Sequence, residues 1–64
     1  MSRSSIDYIN MAKENLEFAI HKFYHGYYEY EKYDIEQAIK ELNNALKYVK
    51  KEIEIKKSIS IKNK

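Results

Sequence analysis

The sequence predicts an all-α fold: a two-helix antiparallel hairpin, about residues 5–31 and 35–57, that dimerises into a four-helix bundle. Three observations lead there. The chain has no proline and one glycine, too few turn formers for a β fold, yet 44% of it is apolar, too much for a disordered segment. Its apolar residues recur at alternating spacings of three and four, the period of a helix with one buried face. Finally, 64 residues without cysteine cannot close a large core or staple a small one with disulfides. A second copy is the expected supplement.

The first helix starts near Ile6, because Ser4 and Ser5 can cap it and Asp7 places a negative charge in its first turn, where the helix dipole favours one. Ile9, Ala12, Leu16, Ala19, Phe23, Gly26 and Tyr30 then form its apolar stripe, widened by Ile20 and Tyr27. The continuing spacing carries the helix through Gly26 to about Glu31, with a tight turn over Lys32–Asp34. The alternative ends the helix at Gly26 and leaves 27–33 as a tyrosine-rich loop.

Asp34 opens the second helix in this reading, with Gln37 three residues on as in a capping box. Ile35, Ala38, Ile39, Leu42, Ala45, Leu46, Val49 and Ile53 occupy an arc of about 120° at 100° per residue. Residues 1–57 are thus one hairpin domain, and 58–64 a flexible basic tail. Met11 and Phe18 lie seven apart on the far side of the first helix, and Tyr48 and Ile55 repeat that spacing on the second. These pairs point to a further neighbour.

Charge is unevenly placed. Residues 1–34 hold four basic and six acidic groups, and residues 35–64 hold eight and four. The positive field therefore lies toward the C-terminus, on Lys47, Lys50, Lys51, Lys56 and Lys57. The stretch HKFYHGYYEYEKY, residues 21–33, gathers five tyrosines and both histidines at the expected turn. Tyrosine gives contact area at low entropic cost, so Tyr24, Tyr28 and Tyr33, with His25, are the expected partner-facing groups at the tip, and Met11 and Phe18 those on the outer face. Tyr27 and Tyr30 fall on the stripe and should wall off the end of the bundle.

Catalysis is not expected. There is no cysteine nucleophile or glycine-rich phosphate loop, and the single arginine, Arg3, stands near the terminus. His21 and His25, one turn apart with Glu17 and Glu29 in line, read as a solvated ridge rather than a metal site, and no cofactor is expected. No secretion signal or membrane-spanning run is visible, which together with the absence of cysteine fits a cytoplasmic protein.

Because lysines can meet phosphates, the alternative function is an RNA- or DNA-binding dimer using the C-terminal lysines. In size and hairpin architecture alone the chain resembles the plasmid Rop proteins, which bind paired RNA loops. Ala38-Ile39 and Ala45-Leu46 resemble the second helix of a tetratricopeptide repeat. AKENLEFA, residues 12–19, and EQAIKELNNALK, residues 36–47, resemble the helical HEPN domains, whose active members cut RNA with an arginine followed closely by a histidine. Neither His21 nor His25 has such an arginine. The function expected from the residues is a small non-enzymatic interaction or regulatory module acting as a homodimer.

Overall fold

A computed structural model describes the backbone of residues 3–62 and the side chains of residues 3–57. Two helices, α1 (Ser5–Tyr24) and α2 (Tyr28–Lys62), pack as an antiparallel hairpin with overall dimensions of 57 × 18 × 15 Å.

The start of α1 is fixed from both helices. Ser4 N–H donates to Asp7 Oδ2 at 2.9 Å, the local part of the cap. Glu52 reaches across from α2 and accepts from Ser5 N–H at 3.0 Å and from the Ser5 hydroxyl at 2.7 Å. A free amide at a helix N-terminus needs an acceptor, and a carboxylate there also meets the positive end of the dipole. Those two bonds hold the Glu52 carboxyl below its ordinary value of 4.5, the backbone bond contributing more than the hydroxyl.

Gly26 ends α1, contrary to the long-helix reading. Tyr27 N–H bonds to Lys22 C=O at 2.9 Å and Gly26 N–H to Phe23 C=O at 3.1 Å, the paired bonds of a Schellman turn. Gly26 takes φ +76°, the left-handed conformation that glycine adopts without a Cβ penalty. The carbonyl of Tyr27 already accepts from Glu31 N–H at 2.9 Å, so α2 begins at once. The first helix therefore stops at Tyr24 rather than near residue 31, and the second starts at Tyr28 rather than at residue 35. Asp34 caps nothing. It lies inside α2, buried, with Oδ2 2.6 Å from Lys22 Nζ. At its other end α2 continues to Lys62, past the expected end near 57. The side chains of the expected tail, 58–64, lie outside the described residues.

The hairpin closes on alanine. Ala12 and Ala19 of α1 and Ala38 and Ala45 of α2, each pair seven apart, are its buried apolar residues, and Ala12 and Ala38 are 1% exposed. Small side chains at a heptad interval let two helices approach closely along one seam. They also bury little. Each methyl contributes about 0.8 kcal/mol, against about 1–2 kcal/mol of backbone entropy for every residue ordered. No large side chain is fully buried among the described residues.

Candidate interaction surface

The seam divides the hairpin into two unlike sides. With about 100° per residue, Tyr8, Asn15 and Lys22 of α1 and Asp34, Glu41, Tyr48 and Glu52 of α2 stand on one flank of the alanines. There the helices are cross-linked by polar and aromatic contacts: Lys22 with Asp34, Ser5 with Glu52, and Tyr8 stacked on Tyr48 with ring centres 5.2 Å apart. The Arg3 guanidinium lies over Tyr8 at 5.7 Å and the Lys51 ammonium over Tyr48 at 5.4 Å. All of these contacts lie within one chain.

The opposite flank is apolar and open. Two shallow basins run along it, one between Ile9, Ala12, Leu16, Ile20 and Leu42, with Lys13 and Glu17 at the rim, the other between Leu16, Ala19, Ile20, Phe23, Tyr24, Glu31 and Ile35. Leu16 and Ile20 line both, so the basins form one groove. Ile39, Leu46 and Ile53 continue the same phase along α2 and are each about half exposed. These residues are the stripes read from the sequence. Each helix turns its stripe toward the same side, and only the alanines are covered.

The expected partner-facing residues are all exposed, but they do not form one site. Tyr24 and Tyr28 flank Phe23 at the end of the groove, with ring centres 5.4 and 6.3 Å from it. His25 stacks on Tyr27 at 6.1 Å and stands 4.3 Å from His21. Tyr33 points to the outer side of α2, away from the groove. Tyr27 and Tyr30 make an edge contact with each other at 6.4 Å and are mostly exposed, so the expectation that they are buried on the stripe is corrected. Restarting the helix at Tyr28 shifts their phase off the apolar line.

Met11 and Phe18 lie on the polar flank and find neighbours within the chain. Arg3 Nη1 stands 3.5 Å from Met11 Sδ, and the Lys22 ammonium lies 5.9 Å from the Phe18 ring centre. Lys47, Lys50, Lys51, Lys56 and Lys57 are exposed, and at 100° per residue all but Lys56 fall within an arc of about 120° on the outer side of α2. Lys50 is about 30 Å along α2 from Tyr28, so one chain does not bring its lysines to its tyrosines. Among the described residues no three histidine, aspartate or glutamate side chains gather as metal ligands, and no helix is long and apolar enough to cross a membrane.

The sequence leads one to expect a second copy over the apolar stripes, but the partner-facing residues it points to are the tyrosines and the outer Met11/Phe18 pair rather than the groove lining. The signal was present in the two stripes: antiparallel helices that meet through alanines must turn their neighbouring Ile and Leu residues to a common side. Compared with known proteins, the chain matches no family model, and no curated protein or solved structure is significantly similar to it.

Proposed function

We propose that this chain is a small non-enzymatic interaction module that works as a homodimer, two hairpins closing their grooves on each other to form a four-helix bundle. The observation that carries this reading is uncovered surface. The hairpin exposes 5656 Å². A compact folded chain of 7.8 kDa exposes about 4,400 Å². The excess of about 1,300 Å² exceeds the roughly 800 Å² that each partner contributes to a standard stable interface. The groove also carries a continuous apolar stripe from both helices, on the side opposite the Lys22–Asp34 and Tyr8–Tyr48 cross-links. Its floor is aliphatic and aromatic, with Lys13, Glu17 and Glu31 around it, a composition suited to packing.

Sedimentation equilibrium over a range of concentration, at low and at 1 M salt with circular dichroism on the same samples, tests the proposal. A helical dimer that persists in high salt is expected, since apolar contacts are not screened. A poorly helical monomer at all concentrations would refute it and assign the missing half of the core to a different protein. Nucleic-acid binding through the lysines would be lost steeply with salt, and with Lys50→Glu and Lys51→Glu.

A further inference from the structure

Resting on that homodimer, we infer that the second copy docks in the antiparallel sense, about an axis perpendicular to the helices near Glu14 and Asn43, with each tyrosine tip against the other chain's basic α2 extension.

The register of the hairpin locates the axis. Ser5 meets Glu52 and Lys22 meets Asp34, so residues whose numbers add to 56 or 57 stand level. The groove stripe runs from Ile6 to Phe23 on α1 and from Ile35 to Ile53 on α2. Both stripes are therefore centred at one height. A perpendicular two-fold axis at that height lays each stripe on its own copy, α1 on α1 and α2 on α2, all neighbours antiparallel.

Length and charge select this arrangement over the one with both tips at the same end. Past the level of Ser5, α2 runs on to Lys62, about 15 Å with no α1 beside it. Ile53 and Ile55 stand exposed on that extension. At the opposite end the cluster of Phe23, Tyr24 and Tyr28 closes the groove. Antiparallel docking brings that cluster level with the second chain's extension, where it covers Ile53. It also sets Glu29 and Glu31, in the first turn of α2, near Lys56 and Lys57 of the second copy, with tyrosine faces open to the same ammonium groups. Docking with tips together instead stacks both lysine-rich extensions at one end, where like charges repel, and leaves both without cover.

Nitroxide labels distinguish the two, because the chain has no native cysteine. Lys32→Cys and Asn43→Cys each place a label on an exposed position of α2 facing away from the seam, the first near the tip and the second near the axis. In the antiparallel dimer the pulsed dipolar distance at position 32 is about 35 Å or more, and at position 43 it is shorter by about 20 Å. An axis parallel to the helices gives nearly equal distances at both positions, and that result overturns the inference while leaving the homodimer intact. Sedimentation of the labelled samples reports the dimer independently. A monomer at both positions overturns the homodimer and this inference together.

Discussion

Truncating Leu42 tests the groove as an interface most economically. Leu42 is 45% exposed in the hairpin and lines the groove together with Leu16 and Ile20. Burying a whole leucine side chain contributes about 1.5–3 kcal/mol, so the half still open is worth about 1 kcal/mol when a second copy covers it. The dimer contains two, giving about 2 kcal/mol, or about a 30-fold weaker dissociation constant for Leu42→Ala. Alanine keeps the helix propensity, so local unwinding does not contribute. Lys40→Ala, on the exposed outer side of the same helix, is the control and should leave the constant unchanged. The assay is sedimentation equilibrium with helicity followed in the same cells. A Leu42→Ala dimer within about threefold of the parent would refute the claim that the groove is buried between copies.

Three further predictions concern the hairpin itself. Asp34→Ala leaves the Lys22 ammonium facing a buried position without its 2.6 Å partner, and should cost about 1–2 kcal/mol in a urea melt, at the low end for a charged hydrogen bond because Lys22 retains contact with water. Gly26→Ala imposes a Cβ on a residue at φ +76°, with nothing within 4 Å to clash, so the penalty is the backbone strain of about 1–2 kcal/mol and Gly26→Asn should cost less. Glu52, held below 4.5, contributes its stabilisation above the ordinary carboxylate range and loses it as pH falls through the lowered value. A ¹³C titration should place its midpoint below 4.5, and Ser5→Ala should move it upward. An unshifted midpoint would mean that Glu52 does not cap α1 in solution.

The two helices, their common period and the need for cover follow from residue spacing, because Ile, Leu and Ala at intervals of three and four admit one amphipathic solution. The turn did not follow. Tyr27 and Tyr30 continue the spacing of α1, and only the left-handed Gly26 and the Schellman bonds reset the phase. Asp34 and Gln37 satisfy the same local pattern as a capping box, but the partner of Asp34 is Lys22 on the other helix. Glu52 carries no local signature of a cap for the same reason, since its bonds to Ser5 span 47 residues of chain. Local pattern identifies helix faces and nearby caps. Partners from the other helix depend on hairpin register, which the three-residue turn sets. The partner-facing candidates are dispersed by the same geometry, with Tyr24 and Tyr28 at the groove, and Met11 and Phe18 on the opposite flank beside Arg3 and Lys22.

The most direct measurement of the central claim is an isotope-filtered nuclear Overhauser experiment on a mixture of labelled and unlabelled chains, reading contacts between copies at the methyl groups of Ile9, Leu16, Ile20, Leu42 and Leu46. Intermolecular contacts at these groove methyls, and none at Met11, are the expected result. A well-folded helical chain that shows no intermolecular contact at any of them would contradict the account.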